Sequence, residues 1–323
     1  MTSGSASRSP AMNESADFDL LAIGEPLVEF NQTGADDGRT YLQGFGGDTS
    51  NAVIAAARQG ARTAYFTRLG DDEFGRMCLA LWAREGVDAS AVQLDAEAPT
   101  GLYFVTHGPE GHAFTYRRAG SAASRMRPQD VPEALVRRAR VLHVSGISQA
   151  ISEDATAAVR RAIDLARACG TRVAYDPNLR LKLWSLERAR EVILETMRLA
   201  DCFLPSLDDV RVISGLDAPG DIVEWCHAQG ARQLVLKIGP QGSIVSRGGD
   251  RHAIEPLRVQ AVDATGAGDC FDGTLLARWA AGDDLPAAAR HASVAAALAT
   301  TGYGAVAPLP TARQVAERLA SSP

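Results

Sequence analysis

The chain has 323 residues, 46% of them hydrophobic, and a formal net charge of −6. That length carries one large α/β domain with a sizeable core, and an acidic balance without a basic block argues against a nucleic-acid surface. Five cysteines without a C-x-x-C pair suggest neither a zinc site nor a disulfide framework, and no apolar run nears the ~18 residues of a membrane span.

Residues 1–17 are Ser-rich and lack an apolar stretch, so a disordered leader is expected there rather than a signal peptide. Free thiols fit a reducing, cytoplasmic setting. The folded unit is expected over 18–320, opening with a strand over 19–23 that ends at Gly24-Glu25-Pro26. An Ala-rich helix over 49–59 stops at Gly60, followed by a strand over 64–69 and a helix over 72–84. Strand-like runs at 141–144, 172–175, 202–204, 234–238 and 243–246 then alternate with helical patterns at 153–168, 186–199 and 221–228. From Gly266 onward helices dominate, over 266–281, 285–300 and 311–319. This alternation predicts a mainly parallel sheet covered by helices on both faces.

Two stretches, 27–45 and 100–118, break the rhythm with alternating polar and apolar residues, Gly and Asp turns and no helical period. They read as antiparallel strands forming a β-lid over a site at the carboxyl edge of the sheet. An exposed lid edge invites pairing with a second subunit, giving a homo-oligomer.

The most chemically loaded stretch is Val262-Asp263-Ala264-Thr265-Gly266-Ala267-Gly268-Asp269-Cys270-Phe271-Asp272-Gly273. Glycines at a helix start let backbone N–H groups converge on an anion, helped by the helix dipole. Asp269 inside such a cradle repels a resident anion. It suits a transferring phosphoryl group, with the carboxylate taking a proton from the attacking hydroxyl. A glycine-rich helix cap with a first-turn charge is the plainer alternative.

Gly46-Gly47-Asp48-Thr49-Ser50-Asn51 can approach a ligand closely, with Asp48 and Asn51 chelating vicinal hydroxyls; Asp48 or Thr49 may equally be described as an N-cap. Tyr116 and Arg118 share a strand face, with Tyr103 on the neighbouring strand, as a cross-strand pair or as a guanidinium fork for a carboxylate. Asp176-Pro177-Asn178-Leu179-Arg180 puts a second arginine at a strand's carboxyl end, for an anionic substrate or a surface ion pair. Lys237, Gly239 and Gly242 suit nucleotide phosphates or an ordinary hairpin. Asp208 and Asp209 support Mg²⁺ through water or serve only as first-turn charges. The histidines show no metal spacing, and no G-x-x-x-x-G-K-[ST] loop occurs.

The Gly46-Gly47-Asp48-Thr49-x-Asn51 and Asp263-x-Thr265-Gly266-Ala267-Gly268-Asp269-x-Phe271-x-Gly273 motifs together resemble the ribokinase/PfkB carbohydrate-kinase family over about 18–319. Within it, the segments Gly24–Phe30, Tyr116–Ser124 and Asp176–Trp184 are similar to those of 2-keto-3-deoxygluconate kinases. The resemblance implies a ribokinase-like three-layer αβα sandwich with a β-lid, and ATP- and Mg²⁺-dependent phosphorylation of a sugar's terminal hydroxyl. It implies Asp269 as base and the N–H groups of Gly266, Ala267, Gly268 and Asp269 as anion hole. It places Gly47, Asp48 and Asn51 on the sugar, Arg118 and Arg180 on its carboxylate, and Tyr103 and Tyr116 on the lid side. Ser206, Lys237, Gly239 and Gly242 fall along the nucleotide, with the 285–300 helix walling the adenine. A monovalent cation, K⁺, is a family-level option near Asp263 and Thr265. The family's N-x-x-E element appears as Ser206-Leu207-Asp208-Asp209, which leaves Asp209 as the metal-side acid. Kinases of neutral sugars such as fructose or ribose, a 5-dehydro-2-deoxygluconokinase, and a non-catalytic sugar- or nucleotide-binding protein stay open as alternatives.

Overall fold

In β1 (Phe18–Ile23) Leu20 and Ala22 face one helical layer while Leu21 and Ile23 face the other, and all four are fully buried. A central strand with apolar residues on both faces must be covered twice. The computed structural model describes residues 16–33, 38–108 and 111–321. After β1 come β2 (Leu27–Gln32), β3 (Tyr41–Gly46), α1 (Asp48–Arg58), β4 (Thr63–Phe66), β5 (Arg68–Gly70), α2 (Glu73–Glu85), β6 (Val87–Asp88), β7 (Gln93–Asp95), β8 (Leu102–Gly108) and β9 (Gly111–Arg117). The middle of the chain holds α3 (Glu133–Arg137), β10 (Ala139–Ser145), α4 (Gly146–Ala150), α5 (Glu153–Cys169), β11 (Arg172–Asp176), α6 (Leu186–Leu199), β12 (Cys202–Phe203), α7 (Leu207–Ser214) and α8 (Pro219–Ala228). Last are β13 (Gln233–Lys237), β14 (Ser243–Arg247), β15 (Asp250–Ile254), α9 (Ala267–Ala281), α10 (Leu285–Ala299) and α11 (Ala312–Ala320).

Nine strands form the main sheet in the order β15-β14-β13-β12-β11-β10-β1-β4-β6, parallel except for the β13–β14–β15 edge. One face packs on α1, α2, α9, α10 and α11 through residues such as Ile54, Trp82, Leu275, Ala288 and Val315. The other packs on α3, α5, α6, α7 and α8 through Leu135, Val159, Ile193, Val210 and Val223. The expected three-layer αβα architecture is thus present.

α9 runs between α1 and the α10 layer with almost every side chain from Cys270 to Ala280 buried. Gly273 is required there, because a Cβ would overlap the Ala52 carbonyl oxygen of α1. A helix apolar all round is one that belongs inside a fold, and only its head reaches the surface of a cleft.

The lid is a four-stranded sheet ordered β3-β2-β8-β9. Its two hairpins are antiparallel as expected, but they join through a parallel β2–β8 pair, Val28 opposite Leu102 to Asn31 opposite Val105. Two more expectations need correction. The 64–69 strand breaks at Thr67, whose carbonyl accepts the Gln93 N–H at 3.1 Å; Arg68–Gly70 then leaves the main sheet to pair with β7. Residues 1–15 lie outside the described residues, while Ala16 is buried and Asp17 is ion-paired to Arg138 at 2.5 Å, so the ordered chain reaches back past 18.

Candidate active site

A cavity of about 1420 Å³ lies between the lid, the ends of β11 and β13, and the head of α9. That exceeds the ~300–1,000 Å³ of a typical single-ligand pocket, so there is room for two substrates. Every residue assigned a catalytic, substrate, nucleotide or metal role from the sequence lines it except Gly242, Asp263 and Ala267.

At the head of α9, Gly266 is the N-cap with φ 74°, a left-handed conformation that favours glycine. Among the described residues the N–H groups of Gly266, Gly268 and Asp269 meet no backbone acceptor, whereas that of Ala267 donates to the Ala264 carbonyl at 3.1 Å. Three of the four N–H groups expected to meet an anion are therefore open, and that of Ala267 is not, because a tight turn uses its donor. The Asp269 Oδ2 accepts from the Asn51 Nδ2 at 2.8 Å. Burial, then the negative charges of Asp48 and Asp176, push the Asp269 carboxyl up to about 7. The Asn51 hydrogen bond and the Lys237 charge pull the other way. A carboxylate poised near neutral pH, beside unused N–H donors at a positive helix end, is equipped to take a proton from an alcohol while an oxyanion is stabilised next to it.

On the lid side α1 begins after Gly47, which provides no side-chain cap, so neither Asp48 nor Thr49 is the N-cap. Asp48 accepts from its neighbour's Thr49 N–H at 2.8 Å and from Asn178 Nδ2 at 3.3 Å. The Asn51 Oδ1 is buried without a hydrogen-bond partner among the described residues, a vacancy a hydroxyl donor would fill. Tyr116 stands opposite Tyr103 in register, their rings 5.7 Å apart, and the Arg118 guanidinium lies 5.6 Å from the Tyr116 ring centre. Tyr103 is buried in the cavity wall with its hydroxyl proton donated to Glu29. Arg118 is ion-paired with Glu25, which is fully buried and also accepts from Ser121 Oγ at 2.5 Å, while the Arg118 Nε is buried without a hydrogen-bond partner among the described residues. Arg180 is different. It lines the cavity, donates to the Leu179 carbonyl at 2.8 Å, and has no carboxylate in ion-pair contact among the described residues.

On the far side Ser206 caps α7, its Oγ accepting the Asp209 N–H at 3.1 Å. The Asp209 Oδ1 accepts from the Leu179 N–H at 3.2 Å, and burial with the nearby Asp176 charge pushes its carboxyl up to about 6. Lys237 corrects an expectation. Its ammonium is not extended toward a phosphate but bonded to Asp176 Oδ2 at 3.0 Å and to both oxygens of Asp272 at 3.0 and 2.9 Å. Gly239 lies on the cavity wall, but Gly242 packs under the Ile254 carbonyl in the β13–β14 hairpin turn. Asp263 ties its loop together by accepting from the Thr265 N–H and Oγ1 at 2.9 and 2.6 Å and from the Gly304 N–H at 2.9 Å. α10 packs against α9 and contributes nothing to the cavity wall; Ala305 alone lines it from beyond that helix.

Four side chains in or beneath the cavity received no role from the sequence although each lies within a quoted segment: Glu25, Asn178, Asp176 and Asp272. A strand-end Glu beside Gly and Pro is an unremarked loop residue until its partner Arg118 is known. Asp272 is an ordinary helix charge until Lys237 is seen beneath it. The usable hint was electrostatic, since an Asp at 272, inside the buried apolar stretch of a helix, calls for a counter-charge or a proton.

A family model described as pfkB family carbohydrate kinase matches residues 18–312. The chain is 35% identical to a 2-dehydro-3-deoxygluconokinase of Thermoproteus tenax over 309 residues, 93% of this chain and 94% of the relative. It is 34% identical to fructokinase-1 of Oryza sativa subsp. japonica over 317 residues, 94% of this chain and 98% of that one. Among solved structures, a fructokinase of Vibrio cholerae O395 bound to fructose, ADP and calcium ion is similar, with a TM-score of 0.83 and 26% identity over 92% of this chain and 97% of that one.

Proposed function

The chain belongs to the PfkB family of carbohydrate kinases, and from that premise we propose that it transfers the terminal phosphoryl group of ATP to the terminal hydroxyl of 2-keto-3-deoxygluconate. One observation carries the reaction. Asp269, shifted to about 7 and oriented by Asn51 at 2.8 Å, sits among unused N–H donors at the head of α9. It takes the proton of the attacking hydroxyl, and the N–H groups of Gly266, Gly268 and Asp269 take up charge on the moving phosphoryl group. Asp48, Asn51 and Asn178 hold the sugar hydroxyls. Arg180 holds the carboxylate of the acid, the reading supported by the absence of a carboxylate in ion-pair contact with it among the described residues and by the Thermoproteus relative.

Asp209 fits a role toward Mg²⁺ through water, since one oxygen is taken by Leu179 and the carboxyl is held above its ordinary range until a cation arrives. When bound, Mg²⁺ neutralises phosphate charge. Asp263 and Thr265 fit the loop they close better than a K⁺ ion, and no step is drawn through one. A homo-oligomer through the lid is part of the same reading, supported by Leu42, 64% exposed on the edge strand β3.

Fructose is the second reading. Arg118 is already neutralised by Glu25, which leaves one free guanidinium rather than two, and the rice and Vibrio relatives are fructokinases. Coupled ADP release over 2-keto-3-deoxygluconate, fructose, ribose, 5-dehydro-2-deoxygluconate and nucleosides decides between them. A kcat/KM highest for the sugar acid supports the first reading; highest for fructose, it supports the second. Silence on every acceptor would overturn the kinase reading altogether.

A further inference from the structure

Behind the cradle, three elements meet in one buried charge cluster: Asp176 at the end of β11, Lys237 at the end of β13 and Asp272 in the first turns of α9. The ammonium makes contacts of 2.9–3.0 Å to both carboxylates, and the three side chains are 7%, 12% and 1% exposed. Two acids and one base in so little water cannot all be charged at no cost. The Asp272 carboxyl is held well above its ordinary range, chiefly by burial, and the Asp176 carboxyl below its own in spite of burial, with Lys237 as the counter-charge. Burial pushes His143, on the adjoining strand β10, down to about 4, which keeps it neutral and adds no charge.

The cluster lies directly beneath the phosphoryl site. A Cβ placed on Gly268 would stand 3.9 Å from Lys237 Nζ, and apart from the residue's own chain neighbours and helix backbone no other described group comes within 4 Å of that point. An anion seated against Gly268 therefore meets a buried cation without an intervening side chain. The same ammonium joins the strand that ends in the sugar-binding loop to the strand that ends at the nucleotide side, and both to the head of α9.

We propose that Lys237, clamped by Asp176 and Asp272, is a positioning residue for phosphoryl transfer: it sets the charge beneath the anion cradle and fixes the cradle relative to both substrate loops. The inference rests on the kinase reading above. It departs from a direct nucleotide contact, because the ammonium's bonds are already spent inside the protein.

The test compares the wild-type enzyme with Lys237→Met and with Lys237→Met/Asp176→Asn. The single variant strands the Asp176 anion and is expected to lower Tm. The double variant removes anion and cation together, and its asparagine keeps the acceptor for the Asn178 N–H, which Asp176 Oδ1 meets at 3.1 Å. The double variant is expected to melt near the wild type, bind ATP and sugar with KM within about threefold, and still turn over on the order of 10²-fold more slowly, the loss typical of one missing electrostatic stabiliser. Recovery of kcat together with Tm would show a merely structural ion cluster and overturn the proposal, as would a double variant that melts no higher than the single one. A wild-type enzyme without ADP release on any acceptor overturns the kinase reading itself and this inference with it, an outcome told apart by the wild-type control.

Discussion

Replacing Asp269 by asparagine separates the chemistry of the site from its stability in opposite directions. The side chain keeps its size and can still accept the Asn51 N–H that Asp269 Oδ2 now meets at 2.8 Å. The negative charge is lost. As general base, Asp269 is worth about 10²–10⁴ in kcat, so turnover should fall by that factor with ATP binding almost unchanged. Stability should rise. The carboxyl is raised from 3.8 to about 7 in the folded chain, so protonation of this group favours the fold. That contribution is fully present below about 3.8, declines as the pH rises, and is gone above 7. The gap corresponds to about 4 kcal/mol as an upper bound, felt as a cost of keeping Asp269 ionised at pH 8. Asparagine avoids it. At roughly 2 °C per kcal/mol for a chain of this size, Asp269→Asn should melt several degrees above the wild type at pH 8, with the difference shrinking toward pH 4. Thermal melts across pH 4–8, with ATP titration calorimetry and coupled ADP release, test all three parts. Full turnover by the variant would refute the base assignment; a Tm difference that does not change with pH would refute the desolvation argument. In the wild type, kcat/KM should climb with pH through about 7, as the base loses its proton.

Further outcomes follow from single contacts. Arg180→Ala should raise KM for 2-keto-3-deoxygluconate at least tenfold while leaving fructose nearly unaffected, and an equal loss on both would remove Arg180 from carboxylate binding. Glu25→Gln takes the counter-charge from Arg118, so the ratio of kcat/KM for acid over neutral sugar should rise in steady-state assays. An unchanged ratio would mean that Arg118 serves the wall and not the ligand. Gly273→Ala drives a methyl into the Ala52 carbonyl of α1 and should cost about 1–3 kcal/mol, visible as a lower Tm.

Most helices were legible because their apolar period and their stops are local. α6, for instance, is capped by Ser185, whose side chain accepts the Arg188 N–H at 3.2 Å, and runs over the expected residues. Glycine spacing likewise announced the start of α9 and its glycine N-cap, since a helix start and a flexible backbone are properties of neighbouring residues. What escaped was decided by distant partners. The 64–69 run is apolar throughout, and only β7, far along the chain, draws Arg68–Gly70 out of the main sheet. The parallel β2–β8 seam is equally invisible to an alternating pattern, which specifies faces but not neighbours. For Lys237 the sequence showed a cation after a strand, and both answers to what it touches lay on other elements. Ala267 was misjudged by a single residue of helix-start geometry, its N–H closing the Ala264 turn.

The sheath around α9 has a mechanical consequence. A helix enclosed along nearly its whole length cannot swing, so Asp269 and the open N–H groups at its head travel with the body of the protein as one anvil. Movement that admits substrates and expels water is then expected from the other wall, the lid, whose edge strand β3 is partly exposed and whose edge strand β9 is exposed over residues 113–117. The amide protons of α9 should then exchange with solvent only when the whole chain opens, while those of β3 and β9 exchange through local openings and slow down when sugar and nucleotide are both bound. The hammer moves and the anvil does not.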